Sequence, residues 1–575
     1  MHFVLDDLPT NCQHDGRGYS CLSTKIDRSR GNTQIFDAGG RRVLSQSVEG
    51  VLELRRLVLS FALATTALTA PALSLTSAEA AGTLVWGMPA ETDTLDPHAT
   101  GGWSTYQITY QIFEGLVKED LTKPDEPTPP LVPGLAKSWD ISEDGLTYTF
   151  HLREGVKFHD GTPFDAAAVK FNFDRFWNES SPDFYKKAKA FVIAYTKWIK
   201  SVDVVDPMIV KVTLTAPNYQ WLRQGLQSYG QPLMISPASV KKFGNEGVAL
   251  HPVGTGPFKF VLRDQGVKTE IERNDDYWGV KAKLDRVIIR PLQDPATRVN
   301  ALENNEVQMI TTPPWDDIDR LVSAGFKLST NKNVPYINYI HLNFKNPALQ
   351  DVRVRKALNM AIDRAGIVKE IMHGTAKPEY GMLSPGTDAY DPNFKSYSYD
   401  PEGAKKLLAE AGVKDMKLVF ELPQYGTGEL VETWIQRDLK KVGIDVELRK
   451  YEWVTYMGKW AGGMSADVAM NEIGWGMSTP AWIGIVTRCD SAPPGGINSG
   501  FYCNKEVDKL FDQANVTRDP IAAKAMYQKA NRIIMDDAAY IPLDDDLEPI
   551  LLSPKVKGFV NPPEDWFDLS TVTVE

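Results

Sequence analysis

His159-Asp160-Gly161-Thr162 sets an imidazole beside a carboxylate and a hydroxyl, groups able to move a proton or ligate a metal ion. A metal site needs two or three further ligands at workable spacing, and the 8 histidines of the chain are scattered. Phe158 followed by Asp160-Gly161 reads instead as a turn with a locally satisfied histidine. The run Asp544-Asp545-Asp546-Leu547-Glu548 has the oxygens for calcium but not the spaced glycine and terminal glutamate of a loop site. It reads as a solvated turn. Gly254–Phe260 (GTGPFKF) is glycine-rich, yet it leads into a strand and offers a phosphate no helix N-terminus. No Gly-x-Ser-x-Gly elbow, His-Glu-x-x-His pair, Cys-x-x-Cys pair or phosphate loop occurs. The expectation is a protein that binds rather than reacts, with no catalytic residue, no metal site and no cofactor.

The 575 residues allow two or three domains, each with its own core. Aromatic residues make up 10%, with 14 Trp and 21 Tyr, enough for large cores or for an aromatic-lined cleft. The formal net charge of −11, without basic runs, argues against nucleic acid or an anionic membrane as partner.

One segment is not part of the fold. Arg55 and Arg56 precede an uncharged run from Leu57 to Ala78, followed by Ala78-Glu79-Ala80. This is the pattern of a signal peptide cut near Ala80/Ala81, and threonines, serines and Pro71 make it a poor membrane span. A signal peptide belongs at the start of a chain, so the true start is expected near Val51–Leu54. Residues 1–50 would then be a mis-assigned start and 54–80 the signal peptide. No cysteine stands at the cleavage site to carry a lipid, so a protein free in the periplasm is expected, with Cys489 and Cys503 paired in that oxidising space.

The elements are legible from periodicity. Lys417–Leu422 is a short apolar strand; Val431, Trp434, Ile435, Leu439 and Val442 fall at helical spacing; Gly443 stops the helix, and Val446 and Leu448 resume as a strand. That is a βαβ crossover with a parallel sheet. Asp400 caps a helix with Pro401 at its first position and Gly412 after its end. Residues 351–374 give two more short helices whose arginines and lysines read as a solvated face. In Thr147–Leu152, Val210–Pro217 and Phe258–Asn274 the strands alternate, giving an α/β class with an antiparallel-rich insertion.

Four stretches carry a resemblance: Leu135–Arg175 (LAKSWDISEDGLTYTFHLREGVKFHDGTPFDAAAVKFNFDR), His251–Gly279, Asp351–Pro385 and Gly500–Ala514. Together they resemble the periplasmic solute-binding proteins of dipeptide, oligopeptide and nickel ABC transporters, solute-binding family 5, from about Gly82 to Val560. The resemblance implies a two-lobed type II periplasmic-binding-protein fold, with an extra inserted subdomain in the first lobe. Lobe I would comprise 81–120, 253–334 and 541–575, the insertion 121–252, and lobe II 335–540. It implies capture of a small peptide or peptide-like ligand by lobe closure, and delivery by a monomer to an inner-membrane permease pair with two ATPase subunits. In peptide binders of the family, the counterparts of Trp86–Pro97 and Glu472–Pro480 sandwich the ligand as an added strand. Glu91, Thr92, Trp475, Gly476 and Ser478 are the residues so implied, with Tyr336 and Tyr425 placed to stack on or hydrogen-bond the ligand. The family's ammonium-binding Asp is replaced by Met477-Ser478-Thr479, and its carboxylate-binding Arg by the Tyr425 region. The implied ligand is therefore a longer or modified peptide. The alternatives are a metal chelate, an opine-like conjugate or an oligosaccharide, and an exported hydrolase on a borrowed fold.

Overall fold

The computed structural model describes residues 82–575 except 101, 227–231, 424–428, 477–478 and 495, with the side chains at 190, 191, 193–195, 453 and 454 left aside. In residues 1–81 it describes five short strands: Cys12–His14 paired with Tyr19–Cys21, and Ile26–Asp27, Thr33–Phe36 and Arg42–Gln46 in one antiparallel sheet. The signal-peptide and start-site expectations fall on residues outside those described.

Two mixed sheets organise residues 82–575. The first lobe carries seven strands in the order Phe258–Asp264, Lys268–Arg273, Arg286–Pro291, Thr83–Met88, Met309–Thr311, Ile550–Leu552, Lys327–Ser329. The second lobe carries six, in the order Ala376–Pro378, Tyr540–Asp546, Tyr336–Leu342, Met470–Gly476, Met416–Pro423, Ile444–Tyr451. The fold is thus α/β with two lobes. The strand Tyr540–Asp546 pairs with Tyr336–Leu342, so it belongs to the second lobe, and the chain returns to the first lobe after 546 rather than at 540/541. A separate four-stranded antiparallel sheet, Ala136–Ile141 to Ile199–Asp206, has its own core around Tyr148, Phe150, Phe173 and Phe176.

The βαβ unit is a parallel pair, Met416–Pro423 with Ile444–Tyr451, bridged by the helix Leu430–Lys441. Ile435 and Leu439 of that helix are fully buried against Leu418 and Phe420 of the strand. Asp400 caps Pro401–Glu410 by accepting from Gly403 N at 2.8 Å.

The basic residues of the helices Val352–Ala361 and Arg364–Glu370 are not all a solvated face. Arg355 and Arg364 are buried. Arg355 donates to the carbonyls of Leu349 and Asp537, each at 2.8 Å, and Arg364 to those of Asn359 and Pro542. Carbonyls at helix ends lack intrahelical partners, and a guanidinium with five donors can satisfy several at once.

His159 occupies a turn. Its Nε2 bonds to Gly256 O at 3.0 Å, and Gly161 has φ 82°. Burial pushes its pKa down to about 4, so the ring is neutral near pH 7. Gly254 and Gly256 serve close packing rather than phosphate binding, since a Cβ on either would overlap the backbone at Gln111 and Ile112.

Cys489 and Cys503 are joined, with Cα atoms 4.4 Å apart. Closing that loop is worth about 3 kcal/mol in the chain-entropy model. Paired Cys489→Ser and Cys503→Ser changes are expected to lower the stability of this region by that order. Urea unfolding followed with and without reductant checks it: the reductant should destabilise the wild type and leave the variant unchanged.

Candidate functional site

The chain crosses between the lobes twice, at 330–335 and 547–549. Asn331 ties the crossings together, since its N–H donates to Leu547 O at 3.0 Å. Its side-chain amide donates to Asn561 O at 2.8 Å, and the Asn561 amide donates to Glu548 O at 3.2 Å. A short amide side chain can bridge two backbones that share no ladder. The lobes therefore meet over one edge of the second-lobe sheet.

That edge brings three of the expected residues together. Register places Tyr336 opposite Gly476 and Ile337 opposite Trp475. Trp475 packs against the first-lobe core and the second-lobe core, and its ring stacks on Trp460 with centroids 5.6 Å apart. Gly474 lies opposite Asn338, and a Cβ there would overlap the side chains of Asn338 and Tyr336, which cross its Cα. Tyr425 and Ser478 lie outside the described residues.

Glu91 and Thr92 form a second group, on the first lobe. Glu91 accepts from Arg263 Nη2 at 2.7 Å and from Gly266 N at 2.8 Å, while Arg263 also donates to Thr92 O. The Glu91 carboxylate is thus held by the Phe258–Arg273 hairpin. It shapes the segment rather than presenting a free charge.

The rest of that segment is anchored by a buried ion pair that the sequence reading missed. Arg175, at 0% exposure, donates to both oxygens of Asp96 (3.0 and 2.5 Å), to Asn245 Oδ1 (2.9 Å) and to His98 Nδ1 (2.8 Å). His98 Nε2 lies 2.6 Å from Leu233 O. Because Nδ1 accepts from arginine, Nε2 must carry the proton and donate to that carbonyl. Burial and then the Arg175 charge push the His98 pKa down to about 4.

The second-lobe edge is acidic, and its carboxyls are largely withdrawn from solvent. Asp544 and Asp545 are buried, and Asp546 and Glu548 half-buried. This corrects the expectation of a solvated turn. The run continues an interior strand, Tyr540–Asp546, flanked by Ala376–Pro378 and Tyr336–Leu342. Burial raises the Asp544 pKa to about 8, that of Glu379 to about 8 and that of Asp565 to about 7; it also raises those of Asp545, Asp546 and Glu548. Lys377, which donates to Lys332 O at 2.7 Å, offsets the burial of Asp545 and Glu379 in part. Glu472 and Glu432 share a hydrogen bond, both are raised by burial, and the Asp544 charge raises Glu472 further.

These shifts set a pH dependence. Below about pH 4 folded and unfolded forms both hold the protons, whereas between about 4 and 8 only the folded form retains them, so stability falls as pH rises through that window. His98 and His159 act oppositely between about 4 and 6.5, where their neutral buried forms are favoured by rising pH. Above pH 6.5 the histidines no longer oppose the carboxyls. The ligand-free protein is expected to lose stability from pH 6.5 to 8, by up to about 1.4 kcal/mol per pH unit for each proton retained. Asp544→Asn should reduce that slope in urea titrations, and a flat wild-type profile would contradict it.

A cavity of about 270 Å³ lies between Lys197, Trp198 and Gln224, beside the four-stranded sheet, and Trp482, Arg488 and Phe511 of the second lobe. Gln224 O accepts from Trp482 Nε1 at 3.2 Å and Gln224 Nε2 donates to Asn515 Oδ1 at 3.1 Å, closing the seam around it.

Comparison with known proteins places this architecture. The family described as bacterial extracellular solute-binding proteins, family 5 Middle, matches residues 130–488. The chain is similar to the glutathione-binding protein GsiB of Escherichia coli strain K12, at 31% identity over 524 residues, 88% of this chain and 97% of that one. Among solved structures it is similar to the ABC transporter-associated periplasmic binding protein DppA from Helicobacter pylori, in complex with peptide STSA. That likeness has a TM-score of 0.76 and 29% identity, covering 86% of this chain and 98% of that one. It is also similar to NikZ from Campylobacter jejuni in complex with Ni(L-His), with a TM-score of 0.72 and 25% identity over 86% and 99% of the two chains. The chain belongs to family 5 of the bacterial extracellular solute-binding proteins.

Proposed function

We propose that this protein is the periplasmic substrate-binding component of an ABC importer for peptides. It would be exported with residues 54–80 removed and would deliver its ligand as a monomer to a permease pair with two ATPases. The observation that carries the peptide reading is the likeness to a DppA that holds a peptide, along 98% of that chain, together with the strand end Gly474–Gly476 where the lobes meet. An extended peptide can add to such a strand end, so that main-chain hydrogen bonds carry affinity whatever the side chains are. Tyr336, Trp475 and Gly476 would line the second-lobe side, Glu91 and Thr92 would face them from the first lobe, and Tyr425 and Ser478 remain candidates by resemblance. The two crossings are where the lobes would hinge. The Cys489–Cys503 bond fits an oxidising compartment.

The likeness to NikZ favours one second reading, a metal chelate as cargo in the same class of importer. Neither reading makes the protein an enzyme. Incubation with a peptide pool separates the cases: a binder should raise its unfolding temperature and leave the pool unchanged by mass. Ligand at 100 times its Kd adds about 2.7 kcal/mol. Accumulating hydrolysis products would overturn the binding reading, and stabilisation by a nickel–histidine complex but by no peptide would favour the chelate.

A further inference from the structure

The four-stranded sheet and its helices are fastened to the first lobe. The buried Asp96–Arg175 pair and the bond between His98 Nε2 and Leu233 O hold them there, and His159 N donates to Gly254 O at 2.9 Å. Movement of the second lobe about the two crossings therefore has to open the seam between that region and the second lobe.

Three hydrogen bonds cross the seam at one place. Asn515 ends the helix Lys505–Asn515, where the last carbonyls lack intrahelical partners, and its O accepts from Tyr219 N at 2.9 Å. Asn515 Oδ1 accepts from Gln224 Nε2 at 3.1 Å, and from Tyr527 OH of its own lobe at 2.9 Å. Gln224 O accepts from Trp482 Nε1 at 3.2 Å. Asn515, Gln224 and Trp482 are buried. Parting the seam thus costs paired polar groups their partners and exposes the Trp482 ring to water.

Both sides of the seam are built to hold this register. Tyr219 OH donates to Glu143 O at 3.0 Å, and its ring covers Gly145, where a Cβ would overlap it. Asn218 is fully buried, accepts from Tyr148 OH at 2.6 Å through its O, and donates to Gln224 Oε1 at 3.3 Å. On the second lobe, Trp482 sits in the short helix Pro480–Ile483, the next element after the strand Met470–Gly476. A ligand that settles on the end of that strand acts on the chain that carries Trp482.

We infer that this seam is a latch: Gln224, Trp482 and Asn515 are positioning residues that hold the lobes closed without touching the ligand, and so set how long it stays bound. The inference rests on the reading of the protein as a binder that closes on its cargo, and not on the chemical class of that cargo. Apparent affinity scales with the closed fraction, so loss of the latch weakens every ligand alike.

Single-molecule energy transfer between dyes on Val205→Cys, in the four-stranded sheet, and Ile521→Cys, in the second lobe, reads the seam directly; both positions are exposed. Trp482→Phe keeps an aromatic ring and removes the donor to Gln224 O, and Gln224→Leu removes the bond to Asn515 Oδ1. Each should raise the ratio of separated to closed molecules about three- to ten-fold, the range for one such hydrogen bond. Tyr527→Phe, which breaks only the bond inside the second lobe, should leave the ratio within about two-fold of wild type. With glutathione or the tetrapeptide Ser-Thr-Ser-Ala as probe, the two latch variants should release it faster by the same factor and take it up within about two-fold of the wild-type rate. Unchanged transfer ratios in both latch variants would overturn the inference and leave the peptide reading standing. Binding of neither probe would count against the peptide reading, while the ratios of the ligand-free proteins still decide the latch. Should one latch variant fail to fold by circular dichroism, the other decides.

Discussion

Arg175→Met is expected to be the most damaging single substitution in the chain, at about 3–5 kcal/mol. It would leave the Asp96 carboxylate, 1% exposed, without its counter-charge, and remove the donor to His98 Nδ1. The cost comes from stranding a buried charge more than from losing the pair itself. Arg175→Met combined with Asp96→Asn should therefore cost less than the sum of the single changes, and a double-mutant cycle in urea measures that difference. Because Asp96 and His98 anchor the segment holding Glu91 and Thr92, limited proteolysis should cut the variant within residues 89–101 well before the wild type. A single variant within about 0.5 kcal/mol of wild type would show that the ion pair does not hold the segment.

The largest effect on binding is expected from Trp475→Ala. The ring packs against both lobe cores and stacks on Trp460, so its removal opens the surface on which the lobes close. Aromatic anchors at the centre of such contacts are worth about 2–3 kcal/mol, which is roughly a 30- to 150-fold weaker Kd. Trp475→Phe keeps part of the stack and should fall between. Titration with a bound peptide checks the order, and a Trp475→Ala protein that binds as tightly as wild type would contradict closure on this ring.

The sequence showed the fold wherever periodicity and stop signals coincide. Val431, Ile435 and Leu439 followed by Gly443 set the helix of the βαβ unit within a residue or two of its observed ends. Asp400-Pro401 marked a cap that is observed. Long-range pairing was not readable. Nothing local to Arg175 distinguishes it from a surface arginine, because its partners Asp96 and His98 lie 79 and 77 residues away. Arg355 and Arg364 were misread for the same reason, their carbonyl partners lying mostly in other elements. The run Asp544–Glu548 has the composition of a solvated turn. Only the pairing of Tyr540–Asp546 with Tyr336–Leu342 reveals that its first members are interior. Of the candidate ligand residues, Tyr336, Trp475 and Gly476 meet through strand register, which the sequence could locate only by resemblance.

Native mass spectrometry of the 81–575 protein, purified gently from a periplasm, tests the peptide-import account most directly. Released species should form a set of peptides of mixed sequence, since main-chain recognition tolerates many side chains. A single non-peptide mass, such as a nickel chelate, would contradict the peptide reading.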